Sequence, residues 1–118
     1  MAISNIPLIA SGILYINTDT NETYSAIKAS STVLYEIEID NTANAASTFV
    51  KLYNNAAPTV GTTAPDMIIL VPASVSRTLV IPSGITFATA LSIAALTAGG
   101  TAGSTGPTSD VTTRVVYV

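Results

Sequence analysis

Glu36, Glu38 and Asp40 recur every second residue within VLYEIEID. In an extended chain, rising about 3.4 Å per residue, that spacing sets neighbouring carboxylates roughly 7 Å apart on one face. Paired carboxylates at such a distance can hydrolyse a glycosidic bond, one protonating the leaving oxygen while the other activates water or attacks the sugar. The pair also needs a cleft of aromatic and polar groups to hold the sugar. Nothing else acidic, cationic or aromatic in the chain builds one around these residues, and the alternation makes them a solvated acidic face opposite the apolar Tyr35, Ile37 and Ile39.

The other candidates reduce in the same way. Asp19-Thr20-Asn21-Glu22 offers oxygen ligands for Ca²⁺ but lacks the glycine and ligand spacing of a calcium loop, and reads as a polar turn. Ser76, Arg77 and Thr78 could form a phosphorylation site, yet a lone Arg among hydroxyls in a strand faces water or pairs with a carboxylate. Tyr15, Tyr24, Tyr35, Tyr53 and Tyr117 could stack on sugars, but they are distributed over five predicted strands and read as core and interface fillers with a wetted hydroxyl. The chain has no His and no Cys. The usual general bases, nucleophiles and transition-metal ligands are therefore missing, and the expectation is a non-enzyme with no catalytic, cofactor-binding or metal-binding residues and no cofactor.

The elements that carry these residues are built from an unusual composition. At 118 residues, the chain is long enough for one core and buries roughly two thirds of its unfolded surface. Charged residues make up 9% and hydrophobic ones 48%, against about 25% charged in ordinary soluble domains, so Thr, Ser, Asn and Ala must cover the outside. Such a surface is cheap to desolvate and suits a subunit that lives against other subunits, so self-association is expected. The net charge is -3, and Lys28, Lys51, Arg77 and Arg114 form no basic stripe, which argues against a nucleic-acid partner. Without cysteine there are no disulfides, and the redox compartment is left open. Met1 to Pro7 has no basic n-region, and the apolar stretch from Pro7 to Ile16 is interrupted by Ser11-Gly12, well short of the ~20 residues of a membrane helix. A soluble protein made in a cytoplasm, with no membrane partner, is the expectation.

Val33 to Asp40 is the clearest strand, alternating with period two and rich in β-branched and aromatic residues. Thr48 to Asn54 follows across a bridge short enough for an antiparallel neighbour, with Phe49, Lys51 and Tyr53 on one face and Val50 and Leu52 on the other. The stretch Asn54 to Pro65 is a long connection with two prolines and a glycine. Met67 to Val71 is a continuous apolar run, which predicts a strand covered on both faces. Val75 to Ile81, a turn at Pro82-Ser83-Gly84, and a longer strand from Ile85 to Ile93 come next. There Ile85, Phe87, Leu91 and Ile93 point one way, and the small residues Thr86, Ala88, Ala90 and Ser92 imply close approach of another surface. A helix over Phe87 to Leu96, favoured by its alanines, is the alternative. Residues 97–110, rich in Gly, Thr and Ser, read as a flexible loop or contact arm. Val111 to Val118 is a final strand, and Ile13 to Ile16 and Tyr24 to Lys28, separated by the polar turn Asn17 to Glu22, complete the count. About eight short strands without an amphipathic helix predict an all-β, antiparallel β-sandwich forming one domain over residues 1–118, with a jelly roll allowed by the strand number and an immunoglobulin-like sandwich possible in principle.

The stretch FVKLYNNAAPTVGTTAPDMIILVPAS, followed by LVIPSGITFATALSIAALTAGG and the closing DVTTRVVYV, resembles a group of small virion proteins of tailed bacteriophages, over about residues 33–118. The resemblance implies a capsid decoration, or cement, protein: a β-sandwich, usually trimeric, on the capsid surface of the virion, whose partner is the major capsid protein. It also implies that Lys51, Tyr53, Asn54, Pro58, Gly61, Gly84 and Phe87-Ala88-Thr89 are fold determinants. It has no catalytic residues to transfer. Residues 1–32 fall outside the resemblance and are where a partner-specific segment is expected.

Two rival readings follow from the same virion setting. A receptor- or saccharide-binding module of a tail fibre would need an exposed cleft with clustered aromatics, and a glycan array or cell-adsorption assay would reveal it. A tail or connector component would place labelled protein at one vertex of the particle under electron microscopy.

Overall fold

A computed structural model describes residues 12–118 of the chain. The features read from Met1 to Pro7 and the first half of the Pro7–Ile16 stretch lie outside the described residues. Eight strands are formed: β1 (Ile13–Thr20), β2 (Ser25–Lys28), β3 (Thr32–Asp40), β4 (Thr48–Tyr53), β5 (Met67–Val71), β6 (Ser76–Phe87), β7 (Leu91–Leu96) and β8 (Val111–Tyr117). They make two four-stranded sheets, β1-β8-β3-β6 (sheet A) and β2-β7-β4-β5 (sheet B), with every pairing antiparallel. From β1 to β7 each strand is followed by one in the opposite sheet, except that β4 leads into its neighbour β5. This is the strand order of a jelly roll, so the all-β sandwich expected from the alternation is the fold. No helix among the described residues is long and apolar enough to cross a membrane.

The core lies where the inner faces meet. Sheet A contributes Leu34, Ile37, Ile39, Val111, Val115 and Tyr117, and sheet B contributes Ile27, Val50, Leu52, Ile69, Val71, Leu91, Ile93 and Ala95. Phe87 closes the group at the end of β6. Period-two alternation produces this directly, because residues i and i+2 share a face of the pleat.

Several local expectations are corrected. Tyr35 does not share the inner face with Ile37 and Ile39. Two residue steps on β3, from Leu34 to Glu36, oppose a single step on β8, from Tyr117 to Val116. A β-bulge therefore absorbs Tyr35 and lets Leu34 and Ile37 both turn inward. The turn Pro82-Ser83-Gly84 does not divide two strands. It lies inside β6, where the two steps from Leu34 to Glu36 are matched by five between Ile85 and Val80. An edge strand tolerates such an excursion, and a proline within it, because only one side of its ladder is engaged. Gly84 carries the excursion at φ 72°, and a Cβ there would stand 2.5 Å from Val33 Cγ1, so both backbone and space demand glycine.

The strand expected from Ile85 to Ile93 is broken at Ala88–Ala90. β6 ends at Phe87, and the chain crosses to β7 in the other sheet. The alternative helix over Phe87–Leu96 is not adopted. Met67–Val71 is a strand of the expected length but is open on one side: Ile69 and Val71 enter the core, while Ile68 and Leu70 are each 42% exposed. β5 is the outer strand of its sheet, and nothing in the described chain covers those two side chains. Ile13–Ile16 extends through Thr20, which shortens the polar turn that follows.

Candidate functional site

Antiparallel partners share a face, so the register defines the outer surface of sheet A row by row. Leu14, Val116, Glu36 and Val80 lie across its four strands in one row, and Ile16, Arg114, Glu38 and Thr78 in the next. Thr112, Asp40 and Ser76 form a third. The three carboxylates singled out in the sequence are therefore one column of a four-stranded surface, not the walls of a cleft. Arg114 Nη1 donates to Glu38 Oε1 at 2.7 Å. The Asp40 carboxylate accepts from the Thr42 hydroxyl at 2.6 Å and the Thr42 amide at 3.0 Å. Those bonds, the hydroxyl's first, hold its pKa below the ordinary carboxylate value.

The other candidates are scattered. Asn17 Oδ1 accepts from the Asp19 amide at 2.7 Å and Asn21 Oδ1 from the Thr23 amide at 2.9 Å, so the acidic turn is organised by its own asparagines. Thr20 is wholly buried, its hydroxyl 2.8 Å from that of Thr113. Among the described residues, no three acidic side chains gather in a way that could hold a metal ion. Arg77 reaches across the open flank between β6 and β5 to donate to the Leu70 carbonyl. The tyrosines do not form a common platform: Tyr117 and Tyr15 pack on the core, Tyr53 is buried on the far side of sheet B, and Tyr35 lies beside Gly84. Burial raises the Tyr53 pKa.

Three of the surface depressions stand out. One of about 290 Å³ is lined by Ala43–Thr48, Thr97, Pro107 and Thr108, without an ionisable side chain. A second, about 450 Å³, opens between β5 and β6 with Arg77 as its ionisable group, and a third, about 230 Å³, has Asp66. Acid–base chemistry asks for two cooperating groups in one cavity, and none of the three supplies a pair.

The outer face of sheet B is covered by the chain itself. Lys51, Ala94 and Leu96 point away from the core, yet all three are wholly buried. Residues 97–110 fold back over them. Lys51 Nζ donates to the carbonyls of Gly100 and Gly103, Thr97 is bonded through its amide to the Thr105 carbonyl at 2.9 Å, and Gly99 sits so close to the Phe49 ring that a Cβ would meet Cε1 at 2.8 Å. The segment expected as a flexible loop or contact arm thus makes its contacts with its own sheet. The connection after β4 joins it: Ser92 Oγ donates to the Asn55 carbonyl at 2.6 Å, and Asn54 Oδ1 accepts from the Thr89 amide at 2.7 Å. The close approach implied by the small residue Ser92 is made by this connection. Burial without an acidic partner lowers the Lys51 pKa.

A second feature missed in the sequence is a buried polar corner. Asn41 Oδ1 accepts from Thr48 Oγ1 at 2.8 Å and Asn44 Nδ2 at 2.9 Å, and Asn44 Oδ1 accepts from the Ser109 amide at 2.8 Å. Every buried side-chain polar atom among the described residues has a partner, so the corner ties three loops together without leaving a reactive group. No protein-family model matches the chain, and no curated protein is similar to it in sequence.

Proposed function

We propose that this chain is a structural virion protein of a tailed phage, which binds the outside of the capsid as a trimer and stabilises contacts between major capsid subunits. The observation that supports the reading is a four-stranded sheet face that no described segment covers, with aliphatic side chains exposed on it. The polar groups of the interior are spent on internal hydrogen bonds. With only 9% of residues charged, what the molecule presents is contact area, and contact area at subunit junctions is how a cement protein works. Repetition over a symmetric shell then makes weak contacts cumulative, and a trimer offers several at once.

The test uses heads from a phage lacking this gene. The purified protein is expected to run as a trimer by light scattering at micromolar concentration, to co-sediment with expanded heads at saturating stoichiometry, and to raise their resistance to heat or chelation. A monomer that leaves heads unbound contradicts the proposal.

A further inference from the structure

The geometry points to the outer face of sheet A as the docking surface, and to a protein partner that presents aliphatic side chains interleaved with Lys or Arg. This rests on the proposed role and names the face that performs it. The two rows across the sheet place aliphatic side chains at its centre and at both margins. Leu14 is 58% exposed, Ile16 52% and Val80 44%, with Val116 half-buried between them. Exposed β-sheet positions are ordinarily polar, and here an unpartnered aliphatic surface borders a column of carboxylates.

Charge selects the occupant. Glu36, Glu38 and Asp40 face outward with Arg114 as the cation in these rows, so the face carries two of the chain's three net negative charges. Hydrogen bonds from Thr42 keep Asp40 ionised, and Arg114 is already engaged with Glu38. A second copy docked through the same face by a two-fold would bring acidic columns together, and like charges at an interface are costly. Nucleic acid and anionic lipid are repelled for the same reason. A protein surface with basic groups opposite Glu36 and Asp40 and apolar groups opposite Leu14, Ile16 and Val80 satisfies both components.

The size fits a repeated contact. Four strands about 4.8 Å apart and three rows about 7 Å apart span roughly 14 by 14 Å between Cα atoms. With the surrounding side chains this offers on the order of 400 Å², about half of what each partner buries in a stable binary interface. One such contact is weak, and several held by one oligomer are strong.

Binding of three variants to gene-deleted heads tests this: Leu14→Asp and Glu36→Lys on the proposed face, and Ile68→Asp as an exposed aliphatic site on the opposite sheet. All three sites are exposed or half-exposed, and circular dichroism melts verify folding. The expected result is at least tenfold weaker binding for Leu14→Asp and Glu36→Lys, binding within twofold of the parent for Ile68→Asp, and an unchanged oligomeric state for all three. Parent-like binding by Leu14→Asp and Glu36→Lys, equal losses from Ile68→Asp, or a change of oligomeric state in either sheet A variant overturns the assignment while leaving the capsid role standing. Failure of the parent protein to bind heads removes the capsid role and the assignment together.

Discussion

Sheets A and B differ in their strands, since the acidic strand residues Asp19, Glu36, Glu38 and Asp40 all lie in sheet A, and their outer faces also meet different fates. Over sheet B the chain returns twice, with the connection after β4 and the segment 97–110, and β7 ends up buried at every position. Over sheet A no described segment returns, and Leu14, Ile16 and Val80 are exposed. Aliphatic residues on an outer face are therefore interior where the chain supplies its own cover, over β4 and β7, and exposed where it does not, on sheet A and at Ile68 and Leu70 of β5. Loops supply the cover on sheet B, and the strands of sheet A add the carboxylates.

The sharpest way to break this comparison is to shorten matched aliphatic side chains on the two outer faces. Leu96→Ala removes a wholly buried side chain beneath the returning segments and is expected to cost about 2–5 kcal/mol. Leu14→Ala on sheet A should change stability by no more than about 0.5 kcal/mol, and chemical denaturation of both variants measures the gap. Similar losses would mean that the two faces are covered alike.

A smaller effect sharpens what holds the cover. Lys51→Met keeps the apolar stem but deletes the donors to the Gly100 and Gly103 carbonyls. Charge-assisted bonds of this kind are worth about 1.5–3 kcal/mol each, offset by relief of the buried charge, so a net loss of about 1–3 kcal/mol is expected. Hydrogen exchange should quicken in residues 97–105 while β3 and β8 stay protected. Lys51 also makes stability depend on pH. Its folded pKa lies below the ordinary 10.5, so between those two values the unfolded chain binds more protons and stability rises with pH. Tyr53, with its pKa raised above 10.0, opposes this from about pH 10 upward. Lys51→Met should remove the rising limb.

The smallest effect lies on the bare face. Because the Asp40 pKa is lowered, this carboxylate contributes stability that is complete above its ordinary 3.8 and is lost as pH falls through the folded value. Thr42→Val removes the leading cause, so a carboxyl NMR titration should find the Asp40 pKa moved back towards the ordinary value, with a correspondingly shallower loss of stability in acid.

Much of the fold was legible because alternation is local. Val111–Val118 and, beyond the bulge at Tyr35, Ile37 and Ile39 declared their inner faces through period two, and Gly and Pro marked most crossings. What failed was set by distant chain. Met67–Val71 reads as doubly buried, yet its outer face depends on whether a loop returns over β5, and none does. Lys51, placed by alternation on the face of Phe49 and Tyr53, is sealed by glycines about fifty residues later in the chain. The Pro82-Ser83-Gly84 signal was a real departure from the strand, but β6 could eject those residues without leaving its partner, since its outer edge has no ladder to break. The candidate surface was half legible for the same reason. Its acidic column is contiguous in sequence, whereas Leu14, Val116 and Val80 join it only through the register of three other strands.

Carbene footprinting of the free protein, read residue by residue by mass spectrometry, tests the contrast between the two faces most directly. Heavy labelling of Leu14, Ile16, Val80 and Val116 with little at Lys51, Ala94 and Leu96 is the predicted result. Protection of the sheet A residues in the free protein, or labelling of the sheet B residues to the same extent, would contradict it.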